Sequence, residues 1–220
     1  MSVPANALPT SESVIAALTF SWQAADGSSW ETHPRLDPAP DAAPTQKYTI
    51  PITRGSTQVA ISRRVIRSSQ AHGLHIEHVT LSLDEGARGQ GFATAFWEAC
   101  LINYRALPLH RVVIGADGDG RLFWARDPVQ FERPETPRDL LEWWSEPTTV
   151  VAPGPQAFLA AAAERRFPAR SAAAFVRAIR AKPQIFTPPG LHGSEFGRLL
   201  LSANGWKGIV ELRPWTPPEQ

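Results

Sequence analysis

The residues best equipped for chemistry lie between His75 and Ala93. Arg88-Gly89-Gln90-Gly91-Phe92-Ala93 sets a guanidinium and two glycines directly ahead of a helix-forming run. Glycine tolerates positive φ and lets a ligand approach the backbone closely. A turn of this kind, feeding a helix N-terminus, presents N–H groups and a positive dipole end, which is a phosphate cradle. Upstream, His75, Glu77 and His78 offer proton acceptors on a β-forming segment. By strand alternation Glu77, Val79, Leu81 and Leu83 share one face, His75 joins it, and His78 opposes it. A carboxylate beside such an apolar row has a raised pKa, which suits a base near neutrality. The other reading of Glu77 is a solvated side chain, or one paired with Arg63 or Arg64 of the neighbouring strand. Either histidine can also act as a base, directly or through water, or serve structure alone.

Other chemistries are poorly supplied. His72, His75 and His78 invite a zinc reading, but the last two point to opposite faces and no supporting cysteine ligands exist. His75-x-Glu77 echoes the zinc-deaminase signature without its Pro-Cys-x-x-Cys partner. Asp117-Gly118-Asp119-Gly120 has too few acids for a calcium loop and reads as a tight turn. There is no Gly-x-Ser-x-Gly elbow, and Cys100 stands mid-helix among Phe96, Trp97 and Leu101, as a packed thiol would.

The elements that must position these groups follow from periodicity. Thr10-Ser11-Glu12 caps a short helix over 13–20 with Val14, Ile15 and Leu18 on one face. The Pro-, Asp- and Ser-rich stretch from Asp26 to Pro44 reads as a loop or linker. Lys47–Thr53 and Thr57–Ile66 alternate β-branched and polar residues around Arg54-Gly55-Ser56, an antiparallel hairpin, and Leu74–Leu83 adds a third strand. Phe92–Leu107 is a helix with Phe92, Phe96, Trp97, Cys100, Leu101 and Tyr104 on a buried face. Arg111–Gly115 is a short buried strand, so strand, helix and strand form a crossover whose strands are parallel. Helices are predicted over 136–144, 155–167, 169–181 and 194–202, with a connection over 183–193. Trp143-Trp144 gives the first a bulky face, and Arg165-Arg166 to Arg180 lie on solvated faces. Asn204-Gly205 turns into a last strand, Trp206–Arg213.

The bulk numbers set limits. A chain of 220 residues can bury a substantial core as one elaborated domain. With 22 basic and 21 acidic residues the net charge is +1, which points to neither nucleic acid nor an anionic membrane. One cysteine excludes an internal disulfide framework and fits a reducing compartment. No apolar run has transmembrane length and the N-terminus lacks a signal pattern, so a cytoplasmic location is expected. The 21 prolines imply stiffened connections, and the 8 tryptophans are core or pocket residues.

The turn, with its flanking strand and helix, resembles the GNAT superfamily of acyltransferases. That family carries Arg/Gln-x-x-Gly-x-Gly/Ala between its fourth strand and the next helix, matched here by Arg88, Gly91 and Ala93. The resemblance covers about residues 47–131, with the last strand completing the sheet and 136–203 as an added helical segment. It implies a mixed α/β fold of α+β type: a central, mostly antiparallel sheet with a splayed parallel pair, flanking helices and a helical insertion. It implies acetyl-CoA or another acyl-CoA as co-substrate and an amine of a small molecule or peptide as acceptor. The diphosphate is held by Arg88, Gly89, Gln90, Gly91, Phe92 and Ala93, and the pantetheine arm by the backbone of Leu81 and Leu83. Several members place a glutamate base where Glu77 stands, with His75 as a further candidate. Where many members have a tyrosine acid after the fifth strand, this chain has Trp124, whose indole can donate a hydrogen bond but not a proton. The thiolate then leaves unassisted, another residue serves, or catalysis is lost and the domain acts as a binding or structural module. The oligomeric state is open, a homodimer included.

Overall fold

Why the central strands form is plain from their side chains: Tyr48, Ile50 and Ile52 recur at every second position of the fourth strand, and Ala60 and Ile66 bracket two polar inward positions on the fifth. The computed structural model describes residues 7–38, 44–116, 124, 128–133 and 206–214. Its elements are α1 (Ser11–Leu18), β1 (Ser21–Gln23), β2 (Ser29–Thr32), β3 (Arg35–Leu36), β4 (Thr45–Arg54), β5 (Thr57–Ser69), β6 (Gly73–Leu83), a 3-10 turn (Glu85–Ala87), α2 (Phe92–Tyr104), β7 (Arg111–Ala116), β8 (Gln130–Phe131) and β9 (Trp206–Glu211). The chain divides into two compact units, one of residues 1–113 and 211–220 and one of residues 114–210.

In the first unit the strands run in the order β1-β2-β4-β5-β6, with β3 beside β4. All of these pairs are antiparallel. The His110 N–H donates to the Leu74 carbonyl at 2.8 Å, bringing the start of β7 to the start of β6. Helix α2 is the crossover between these neighbours, the connection that parallel strands require, and the sheet is accordingly mixed. Register fixes the two faces. Tyr48, Ile50 and Ile52 of β4 stand beside Arg64, Ser62 and Ala60 of β5, and Ile66 and Arg64 stand beside Ile76 and His78 of β6. All are buried and form the floor on which α2 lies through Phe96, Trp97, Cys100 and Tyr104. Each large apolar side chain buried there contributes about 1.5–3 kcal/mol. Helix α1 joins the layer, with the Asn103 side chain donating to the Ala17 carbonyl at 3.0 Å.

Several boundaries differ from the sequence expectation. Thr10 is itself the N-cap of α1, its hydroxyl accepting from the Ser13 N–H, so the helix begins at Ser11 rather than Ser13. It stops at Leu18 because Phe20 exchanges bonds with Thr32 instead. Helix α2 ends at Tyr104, not Leu107. The N–H groups of Arg105, Ala106 and Leu107 bond three residues back, tightening the last turn ahead of Pro108. The stretch expected as a loop from Asp26 contains β2 and β3, and the unforeseen β1 precedes it. Trp30 and Thr32 of β2 point inward in alternation, a signal too short to read against the surrounding Pro and Asp.

In the second unit β8 and β9 pair antiparallel, Phe131 opposite Gly208, with the Phe131 and Trp206 rings 5.3 Å apart. The turn expected at Asp117–Gly120, the helices expected over 136–202 and the Asn204-Gly205 turn lie outside the described residues. No helix among the described residues is long and apolar enough to cross a membrane.

Candidate functional site

Strand β6, the 3-10 turn and the start of α2 carry nearly every residue singled out by the sequence. Gly89 and Gly91 have φ of +73° and +91°, values that other residues adopt only under strain. Space is not the constraint: a Cβ on Gly89 would meet nothing, and one on Gly91 would touch the Trp22 ring in ordinary contact at 3.7 Å. Gly91 is the N-cap of α2, with no side-chain cap and no acidic residue in the first turn. The first N–H groups of a helix have no partner within it. By contrast, α1 has both the Thr10 cap and Glu12 in its first turn. The α2 terminus therefore keeps its positive end free of side-chain acceptors from its own cap and first turn.

Around that corner, Arg88 is exposed and its Nε donates to the Leu83 carbonyl at 3.3 Å. Gln90 closes the turn by donating to the Gly86 carbonyl at 2.9 Å, while its Oε1 is buried without a hydrogen bond. The Phe92 side chain is fully buried, stacked on Trp30 at 4.8 Å and flanked by Phe20, Trp22 and Phe96. Only its backbone can serve a ligand. Ala93 is half-buried beside it.

The alternation expected along β6 is broken. Arg64 pairs with His78, and the next residue of β5, Arg63, pairs with Thr80, so Val79 is a bulge with no partner on β5. A one-residue insertion moves every following side chain to the other face. Leu81 and Leu83 therefore lie opposite Ser62 and Ala60 on the His78 face, and not with Glu77 as regular alternation requires. Val79 and Thr80 are both exposed.

Glu77 is half-buried and its neighbours also differ from expectation. It accepts from Arg67, with Nε at 2.9 Å, rather than from Arg63 or Arg64. Arg63 stands beyond the bulge opposite Thr80, and Arg64 points to the opposite, buried face. The hydrogen bond from His75, with Arg67 beside it, outweighs desolvation and holds the Glu77 carboxyl below its usual range. This corrects the raised value expected from an apolar row. A pair of hydrogen-bonding partners on the same face overrides the neighbourhood.

His75 is 1% exposed, with Nδ1 2.9 Å from the Gly73 carbonyl and Nε2 3.3 Å from the Glu77 carboxylate. A carbonyl only accepts, so Nδ1 carries hydrogen. The His72 ring stands 5.3 Å from that of His75. His78 is buried on the other side, 3.1 Å from the Tyr104 hydroxyl. Burial, and secondarily the Arg64 charge, hold it well below the ordinary histidine range, so it is neutral. Burial pushes the Cys100 thiol up to about 11, so it is no nucleophile at neutral pH. Trp124 is buried and belongs to the second unit. Among the described residues no three His, Cys, Asp or Glu side chains gather as a metal site.

Three participants were not singled out by the sequence reading. Arg67 was readable, since continuing the hairpin and strand register places it across from His75 and diagonal to Glu77. Trp30 lies in the Asp26–Pro44 stretch without visible period, and Trp22 in the three-residue β1 just ahead of it. Neither the scan against family models nor the search of curated proteins returns a match for the chain.

Proposed function

We propose that the chain is an acyl-CoA-dependent N-acyltransferase of the GNAT type, moving acetyl or a longer acyl group to an amine of a small molecule or peptide. One observation carries the reading: a strand turns through two glycines of positive φ into a helix terminus that neither its cap nor its first turn neutralises. In it the N–H groups that open α2, with Arg88, hold the diphosphate. The backbone of Leu81 and Leu83 holds the pantetheine arm, on β6 as the first strand of a splayed parallel pair with β7. The coenzyme supplies the activated acyl group as a thioester. The acceptor nitrogen forms its bond to the carbonyl carbon as the carbon–sulfur bond breaks.

Glu77 takes the ammonium proton, directly or through water; its carboxylate is ionised at neutral pH, and the depressed pKa makes it a weaker base than a raised one would be. The Val79 bulge releases backbone groups from β5 where the thioester carbonyl needs a donor. No step is routed through Trp124.

The engagement of Glu77 by Arg67 favours a second reading, a GNAT-like module that binds without turnover. Calorimetry with acetyl-CoA and a thiol-release assay across amines decide between them. The transferase reading expects binding, turnover, and a loss of about 10²–10⁴-fold in kcat for Glu77→Gln, the range for general bases. Absence of acetyl-CoA binding removes the reading altogether. Binding without release for any donor or acceptor leaves the module. Turnover unchanged in Glu77→Gln takes the base role away from Glu77.

A further inference from the structure

Arg64 is the least expected residue in the core. It is 2% exposed and, among the described residues, has no carboxylate partner. Burying a guanidinium without a counter-ion is costly, and a long apolar side chain could fill the same space. What the charge meets is backbone. One terminal nitrogen donates to the Arg63 carbonyl at 2.9 Å, to the Thr80 carbonyl at 3.1 Å and to the Ser62 hydroxyl at 2.5 Å. Ser62 in turn donates to the same Thr80 carbonyl at 2.7 Å. The other side of the guanidinium lies over the Phe96 ring at 5.9 Å.

These bonds converge on the one place where the β5–β6 ladder is broken. Arg63 and Thr80 are the first pair after the bulged Val79. Side-chain donors are thus concentrated on the carbonyl next to the inserted residue. Thr80's carbonyl belongs to the same peptide unit as the Leu81 N–H. A peptide whose oxygen accepts strong, charge-assisted bonds becomes a better donor at its nitrogen. The direction of that N–H follows from the ladder. The Asp84 N–H reaches the Val59 carbonyl at 2.9 Å, so alternate residues back along β6, Ser82 and Thr80, face β5. Leu81 lies between them and its N–H turns to the edge away from β5.

We propose that Arg64 and Ser62 are positioning residues for acyl transfer. By donating to the Thr80 carbonyl they hold the Val79 bulge in register and polarise the peptide whose N–H, at Leu81, faces the acyl thioester arm. The role rests on the acyltransferase reading. It supplies that reading with a fixed positive charge behind the donor, which the Trp124 position cannot offer.

The test compares Ser62→Ala, Arg64→Met and Arg64→Lys with the unaltered chain, using acetyl-CoA as the probe. Three quantities are read: acetyl-CoA affinity, kcat and KM for thiol release, and the Leu81 amide proton shift with its exchange rate. The expected result is a split. Affinity stays within about threefold because the diphosphate turn is untouched. kcat falls about tenfold in Ser62→Ala and further in Arg64→Met, a smaller loss than deleting a direct donor. Arg64→Lys recovers part of it, and the Leu81 amide proton moves upfield in the order of kcat. An unchanged kcat in Ser62→Ala, or affinity and kcat falling together, overturns the role. If Arg64→Met does not fold, Ser62→Ala decides alone. If the unaltered chain binds no acetyl-CoA, the acyltransferase reading fails. The Leu81 shift in Ser62→Ala then still decides whether the peptide is polarised, and an unmoved amide sinks that too.

Discussion

At the scale of single residues, two of the three ionisable side chains on β6 have opposite surroundings. His78 is buried and kept neutral by desolvation, while Glu77 on the other face is kept charged by His75 and Arg67. Their signs give separable effects on stability. The unfolded chain protonates His78 near its ordinary 6.5, and the folded chain does not. Below that pH the unfolded state therefore binds more protons, and stability falls as pH falls, by at most about 1.4 kcal/mol per unit. Above it the contribution is flat. Glu77 contributes stability above its unfolded value of 4.5, which is lost as pH falls through the lower folded value. Urea unfolding between pH 7 and pH 5 should thus show a decline that His78→Gln flattens and Glu77→Gln leaves in place. Equal slopes in the native chain and His78→Gln would mean that His78 is not held neutral.

At the scale of elements, the turn into α2 must keep its backbone angles for the helix terminus to point where it does. Gly91→Ala forces a side chain into φ of +91° with no clash to blame beyond ordinary contact with Trp22. The substitution should cost about 1–3 kcal/mol of stability and, under the proposed function, weaken acetyl-CoA binding, whereas Glu98→Gln, exposed in the middle of α2, should do neither. Calorimetry and thermal unfolding of the two variants check this, and equal behaviour would show that the angle at residue 91 is immaterial. The same turn shows what a sequence discloses. Glycines between a β-branched run and an amphipathic run announce strand, turn and helix, and the hairpin around Gly55 announces itself likewise. The bulge at Val79 leaves no such mark, because an inserted valine in a strand looks like any strand residue. That hid the transfer of Leu81 and Leu83 to the other face. Arg67 was missed for a milder reason: the pairing depends on how far β5 extends past Ile66. Strands β1 to β3 escaped because two to four residues are too few to display a period of two.

At the scale of the whole molecule, the central ladder and its edges differ in how they are held. Strand β5 runs from Thr57 to Ser69 between β4 and β6, so its amides find partners on both sides, and Ser62, Arg64 and Ile66 beneath α2 are buried. Strand β3 has two residues, both exposed, and among the described strands pairs with β4, while β1 has three at the end of the order. Opening free energy scales with the buried contacts a segment loses. Amides of Ser62 to Ile66 should therefore exchange only through global unfolding, while those of Arg35, Leu36 and Trp22 exchange through local fraying. Native-state hydrogen exchange should separate the two groups by at least about a hundredfold, with the β5 amides alone tracking added denaturant in proportion to global stability. Protection at Leu36 equal to that at Ile66 would mean that the small strands are part of the cooperative core, and that the aromatic group of Trp22, Trp30 and Phe92 beside the α2 terminus binds them into it.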